Sequence, residues 1–374
     1  MFLVSGKALH YFFGGNTARG FFSLYDSNFA GLEKVFILKG GPGTGKSTLM
    51  KNIANDWQEK GYDVEFIHCA SDSDSVDGVI FPALKIGIVD GTEPHVIEPK
   101  APGAIEEYVN LGNAWNSQQL STKKDDIIQL MNEKDEAYAQ AYHTYAEALA
   151  VHDEWEEIYI ANMDFEKLNV LTEEIKTSFF GEIHLNKEAD VRHRFLGAAT
   201  PLGAVDYVPN LTENIRKRYF LKGRPGSGKS TLLKKLASTA EERGLDVEIY
   251  HCGFDPNSLD MVILRELGIA IFDSTAPHEY FPSREGDEII DLYHVAVFPR
   301  TDEIYEEQIL EISKRYRNKM NEGTACLAEA KKSHDKLEAI YHEAVDFSIV
   351  EGIQKEIENT IIELVEGSSV NEFS

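Results

Sequence analysis

Two stretches of the chain have the residue types and spacing of a phosphate grip. Gly40, Gly41, Pro42, Gly43, Thr44, Gly45, Lys46, Ser47 and Thr48 form one, and Gly223, Arg224, Pro225, Gly226, Ser227, Gly228, Lys229, Ser230 and Thr231 the other. Each fits a glycine, four residues, then Gly-Lys-Ser. Glycines let the backbone curl with its N–H groups turned inward, because a Cβ would block either the positive φ or the close approach of an anion. Each loop leads from an apolar run into a helical stretch, whose unpaired N–H groups and dipole favour negative charge. Lys46 and Lys229 are then set to reach terminal phosphates, and the Ser47 and Ser230 hydroxyls to hold Mg²⁺.

Acids and histidines recur around these loops. Asp90 follows Ile86-Gly87-Ile88-Val89, and Asp273 follows Ile269-Ala270-Ile271-Phe272. A carboxylate at the tip of a strand beside the loop can enter a magnesium shell; a helix cap or turn is the alternative. The segments SDSDSVDGVI and FDPNSLDMVI share Asp72/Asp255, Ser75/Ser258 and Asp77/Asp260. Asp72 and Asp255 are candidate general bases toward an acceptor hydroxyl, or Asx-turn residues. His95 and His278 stand in TEPH and TAPH, where an imidazole can donate to a phosphate or serve the fold alone.

What must position these groups is a duplicated unit. The two loops are 183 residues apart, and at that offset 37 of the 86 positions from 10 to 95 are identical. Farther on the register slips by one: HDEWEEIYIANMDF from His152 matches HDKLEAIYHEAVDF from His334. The spacing predicts two domains, 1–187 and 188–374. In each, strands at 35–39, 64–67 and 85–89, or 218–222, 247–250 and 268–272, alternate with helices at 47–60 or 230–243, which indicates βαβ units and a parallel sheet. Long polar helices follow and predict helical hairpins at about 105–178 and about 302–365. Tyr138, Tyr142, Tyr145, Leu149, His152, Trp155 and Tyr159 line one face of the first, a packing stripe rather than a cofactor box. His152 and His334 read as core-edge histidines.

On these residues the chain resembles the P-loop NTPase superfamily, and over its whole length it is similar to bacterial P-loop ATPases with a tandemly duplicated nucleotide-binding domain. The resemblance implies ATP and Mg²⁺ as ligands and two three-layer α/β/α domains, each with a helical appendage. It makes Asp90 and Asp273 the Walker B acids. Many ATPases of the additional-strand class place a glutamate next, whereas Gly91 and Ser274 follow here, so if hydrolysis occurs, its base lies elsewhere or it is slow. Nucleoside-kinase-like enzymes carry an acid after the second strand, as Asp72 and Asp255 do. Such enzymes also present several arginines, and residues 1–191 hold Arg19 alone, unless Arg192, Arg194, Arg216 or Arg218 reaches over in a pseudo-dimer.

Charge and cysteines bound the partners. The chain has 37 Lys and Arg against 63 Asp and Glu, a net charge of −26. That disfavours nucleic acid and anionic membranes, which are bound through basic clusters. Three cysteines make no disulfide framework. The start lacks a charged n-region with a long apolar stretch and no run reaches 18 apolar residues, so a cytoplasmic setting is expected. The last nine residues read as a frayed tail. The leading expectation is an ATPase or nucleotide-dependent switch whose hairpins contact a protein partner. A small-molecule or nucleotide kinase and a non-hydrolysing nucleotide-sensing scaffold are the alternatives. No guanine-reading Asn-Lys-x-Asp occurs, which leans toward ATP.

Overall fold

The computed structural model describes residues 5–371. The first half builds a six-stranded sheet from β1 (Ala8–Tyr11), β2 (Lys34–Lys39), β3 (Val64–His68), β4 (Val76–Phe81), β5 (Ile86–Asp90) and β6 (Glu106–Asn110), in the spatial order β1-β3-β4-β5-β2-β6. The second half builds β7 (Val191–Phe195), β8 (Lys217–Lys222), β9 (Val247–His251), β10 (Leu259–Leu264), β11 (Ile269–Asp273) and β12 (Asp287–Asp291), ordered β7-β9-β10-β11-β8-β12. The two orders are the same, so the repeat in sequence is a repeat in fold.

The expectation of a plainly parallel sheet needs correction at one strand in each half. β4 runs antiparallel to β3 and β5, and β10 antiparallel to β9 and β11; the remaining pairs are parallel. Connection length is the cause. Residues 69–75 and 82–85 link β4 to its neighbours, too few for the crossover that parallel pairing needs. From sequence, 76–81 reads as the end of an acidic loop. In the fold all six of its residues are buried, as expected of a strand covered on both faces.

Helix α1 (Lys46–Glu59) buries Leu49, Met50, Ile53, Ala54 and Trp57, one stripe at helical spacing. The first helical region starts later than 105, because Glu106–Asn110 pairs with β2 as an edge strand. It then consists mainly of α2 (Lys124–Ile160) and α3 (Phe165–Phe180). In the second half α4 (Lys229–Glu242) takes the place of α1, and α5 (Glu306–His342) and α6 (Phe347–Asn371) follow. Helix α6 runs through most of the expected frayed tail; residues 372–374, like residues 1–4 of the apolar start, lie outside the described residues. No helix among the described residues is long and apolar enough to cross a membrane.

The chain divides into two compact units that are not the halves 1–187 and 188–374. One contains Met1–Gly14, Phe29–Ala139 and Cys326–Ser374; the other contains Gly15–Asn28 and Gln140–Ala325. The late helices have changed places. In the first unit Val350, Ile357 and Ile361 of α6 join Leu49, Ile53 and Trp57 of α1 in one apolar cluster. In the second, Leu168, Ile175 and Phe179 of α3 join Leu232, Leu233 and Leu236 of α4. Each glycine loop is therefore roofed by helices that follow the other loop in sequence.

Ile361 is fully buried, and Ile361→Ala should cost about 2–5 kcal/mol. Hydrogen exchange should then speed up in residues 46–59, which α6 covers, and not in 229–242. Faster exchange confined to 229–242 would contradict the exchanged arrangement.

Candidate functional site

Each glycine loop leaves the end of a central strand and enters a helix. In the first unit Gly43 and Gly45 have φ of 65° and 84°; in the second, Gly226 and Gly228 have 73° and 87°. These are left-handed conformations in which glycine carries no Cβ cost. The loops are stitched internally, Thr44 Oγ1 donating to the Gly41 carbonyl at 2.8 Å and Ser227 Oγ to the Arg224 carbonyl at 2.7 Å. The Lys46 ammonium donates to the Gly40 and Gly41 carbonyls at 2.9 and 2.8 Å, with an Asp90 oxygen at 3.5 Å. Lys229 donates to the Arg224 carbonyl at 2.9 Å, with an Asp273 oxygen at 3.6 Å. Both lysines thus rest over their own loops, facing the strand-tip acids.

The acids and serines are positioned by hydrogen bonds that leave oxygens available. Asp90 uses Oδ1 to accept from the Thr92 N–H and hydroxyl, at 2.9 and 2.6 Å, and Oδ2 is the oxygen near Lys46. Asp273 repeats this with Thr275, at 3.0 and 2.6 Å. Ser47 Oγ accepts from the Val76 N–H at 3.1 Å and Ser230 Oγ from Leu259 N–H at 2.9 Å. A serine hydroxyl and a carboxylate are hard oxygen ligands, the donor type that suits Mg²⁺. Gly41 has diverged to Arg224, whose guanidinium is held by Asp302 at 3.0 and 2.6 Å, away from any role as a loose anion ligand. Pro42, Pro225, Thr48 and Thr231 lie within the two loop-to-helix segments, the threonines in the first turns of α1 and α4.

Behind the strand tips, residues that the sequence singles out separately are brought together. Asp77 is the second residue of β4, and its carboxylate meets His95 Nε2 at 2.9 Å. Burial lowers the His95 pKa, but the Asp77 charge, its hydrogen bond to the ring and the Asp90 charge together outweigh it and hold the ring above its ordinary value. In the second unit Asp260 takes the place of Asp77, while His278 Nδ1 pairs with Asp206 at 2.8 Å. Burial, and then the Asp273 charge, push Asp260 up to about 6. The one signal available was the short apolar run after Asp77 and after Asp260, which the polar stretch before it makes read as the end of a loop.

The acids after the second strands are turn formers. Asp72 accepts from Ser75 Oγ at 3.0 Å and lies 3.8 Å from Lys331. Asp255 accepts from the Asn257 N–H at 3.3 Å and from Arg19 Nε at 2.8 Å. Arg19 therefore serves the second unit, although it is numbered in the first half. Arg192 is held by Asp190, Arg194 by Asn28, Arg216 by the Leu267 carbonyl and Arg218 by Asp287, all within that unit.

Three further histidine groups surround the strands and helices. His10 and His68 share a hydrogen bond of 2.9 Å, and His193 and His251 one of 2.8 Å. Burial, then His10, holds the His68 pKa down at about 4, so the ring is neutral. His152, Asp153 and Glu156 on α2 bring ligand atoms within 4.8 Å of one another. His152 packs against Phe254 and Tyr316, and Tyr145 and Tyr159 are fully buried, so the aromatic stripe packs as core.

Comparison of the chain with protein-family models, with curated proteins and with solved structures gives no match.

The neutral His68 ties stability to pH. Its folded pKa near 4 lies below the unfolded value of about 6.5, so between these values the unfolded chain binds the extra proton. Stability should be complete above pH 6.5 and decline as pH falls toward 4. His68→Gln should reduce the slope in that window by up to about 1.4 kcal/mol per pH unit, measured by denaturant unfolding at stepped pH. An unchanged slope would contradict a buried neutral ring.

Proposed function

We propose that the chain is a P-loop NTPase with two ATP·Mg²⁺ sites, one per compact unit, acting as an ATPase or nucleotide-dependent switch. In this reading each unit is a three-layer α/β/α domain and the first residues of α1 and α4 receive the phosphates. One observation carries it: in both units a glycine loop between a central strand and a helix N-terminus holds a lysine within 3.5 or 3.6 Å of a strand-tip aspartate.

The residues fit the ligands. The positive-φ glycines let the loop's main chain take the curled path of an anion cradle. Lys46 and Lys229 rest on neutral carbonyls and would exchange these for phosphate oxygens, a stronger charge-assisted contact. Ser47 with Asp90, and Ser230 with Asp273, would hold Mg²⁺, which supplies charge neutralisation along the phosphates. The helices favour the switch element. In the first unit the backbone of α5 at Glu338 lies so close to the loop that a Cβ on Gly43 would sit 2.5 Å from the Glu338 carbonyl, so a shift in the loop is felt directly by α5. Those helices would carry nucleotide state to a protein partner.

The kinase alternative draws on Asp72 and Asp255, but both shape a turn and face a cation, which weighs against a free general base. Three cysteines without a disulfide suit a reducing, cytoplasmic setting.

Titration calorimetry with ATP·Mg²⁺ should show two sites per chain. Lys46→Ala and Lys229→Ala should each weaken one site by about 10- to 100-fold, the loss of a charged hydrogen bond, and leave the other intact. Absence of ATP binding by the wild-type chain would overturn the reading. Tight binding without phosphate release would favour the sensing scaffold, and ADP formation that needs an added acceptor would favour the kinase.

A further inference from the structure

The antiparallel strands set two carboxylates face to face beside each glycine loop. Pairing of Gly78 with Val89 puts Asp77 across from Asp90, and pairing of Met261 with Phe272 puts Asp260 across from Asp273. Like charges directly opposite on neighbouring strands destabilise a sheet, and burial makes this worse. Asp77 and Asp260 are only 6% and 7% exposed. Both sheets keep this pair of acids at the same place, with the loop lysine beside the strand-tip acid and His95 beside Asp77. Carboxylates held next to one another in this way are characteristic of sites that use the charge.

Other groups that could activate a nucleophile here are engaged elsewhere. Gly91 and Ser274 follow the strand-tip acids, and Ser274 Oγ donates to the Tyr280 carbonyl at 2.6 Å. Asp72 and Asp255 close turns and meet Lys331 and Arg19. His95 Nε2 faces Asp77, and His278 Nδ1 faces Asp206.

We infer that Asp77 and Asp260 are the carboxylates that activate the attacking water, a role that rests on the ATP-binding reading and extends it to hydrolysis. A carboxylate oxygen accepts one proton of the water as its oxygen bonds to the terminal phosphorus. The bond from that phosphorus to the bridging oxygen breaks, and ADP leaves with the electron pair. Inorganic phosphate departs and the carboxylate returns its proton to solvent. His95 is a positioning residue, its Nε2 2.9 Å from the Asp77 carboxylate.

The test uses the full chain as wild type, as D77N and D260N, and as the double variant, with ATP·Mg²⁺ binding by calorimetry and phosphate release measured side by side. Asn keeps the shape of Asp and removes the charge. Binding should stay within about threefold of wild type in every variant, while phosphate release by the double variant falls by about 10²- to 10⁴-fold, the range of general-base catalysis. Phosphate release unchanged in the double variant with binding intact would overturn the assignment and leave the ATP-binding reading standing. Wild type that binds ATP but releases phosphate only to an added acceptor, or not at all, would also overturn it. Loss of binding in the Asn variants, and equally in D77S and D260S, would make these carboxylates part of the grip or the fold and reject the catalytic role. Wild type that binds no ATP would reject both readings together.

Discussion

The approach of a helix backbone to the crown of each glycine loop constrains the rest of the structure. A Cβ placed on Gly43 would lie 2.5 Å from the Glu338 carbonyl, and one on Gly226 would lie 2.6 Å from that of Glu156. Real Cβ atoms do not tolerate such contacts, so glycine is needed at these positions by the roof as well as by the loop. The last glycine of each loop differs between the units. A Cβ on Gly228 would meet the Leu168 side chain at 2.5 Å, whereas one on Gly45 would make ordinary contacts with Phe347 and Val350 at 3.6 and 3.7 Å. The proposed phosphate grip and the tertiary packing ask for the same residue at Gly43 and Gly226, which ties the loop's conformation to helices far away in sequence.

That tie gives physical content to a nucleotide-dependent switch. A loop that must release its lysine from its own carbonyls cannot move independently of a helix whose backbone touches it. In the first unit the contact extends to side chains, with Tyr341 beside Gly41 and packed edge-on against Trp115. The elbow after α5 is stitched down by Asn116 N–H to the Ala344 carbonyl and Asp346 N–H to the Ala114 carbonyl, each 2.7 Å. In the second unit Asp164 N–H donates to the Ala296 carbonyl at 2.7 Å, the matching elbow. Main-chain bonds of this kind do not depend on side-chain identity, and both units retain them where the sequences have drifted.

The loops, their strands and helices and the strand-tip acids were legible because local rules specify them: glycine spacing, an apolar run ending in Asp, a helix ending at Gly61 or Gly244. Three features were not legible, each for a physical reason. The strand 76–81 contains Asp77 and follows a polar run, so its period looks like a loop; only burial on both faces makes it a strand. Glu106–Asn110 is an edge strand with exposed Glu107 and Tyr108, whose pattern gives no alternation to detect. The exchange of helices is written nowhere locally. Residues 165–180 and 347–362 present the same kind of apolar stripe to α1 and α4, and which sheet each one meets is decided by the whole chain path. The same holds for Arg19, whose partner Asp255 lies 236 positions away.

The pattern of drift between the two units separates the glycine loop and its strand-tip acid from what lies beyond them. Lysine, serine, the strand-tip aspartate, the buried aspartate and the Pro-His pair are identical in both. Around the turn after the second strand they diverge. Ser71 becomes Phe254, and Asp72 faces Lys331 whereas Asp255 faces Arg19. The position of Arg19 in the second copy is Leu202, 85% exposed. A phosphate chain would ask the same chemistry of any loop that held it, and identity there is what the proposed shared ligand requires. An aromatic ring and a guanidinium in place of a hydroxyl and an ammonium change the shape and hydrogen bonding offered next to the loop. The two units are thus matched where the proposed triphosphate would lie and distinct where a nucleophile, a partner or a neighbouring group would be recognised.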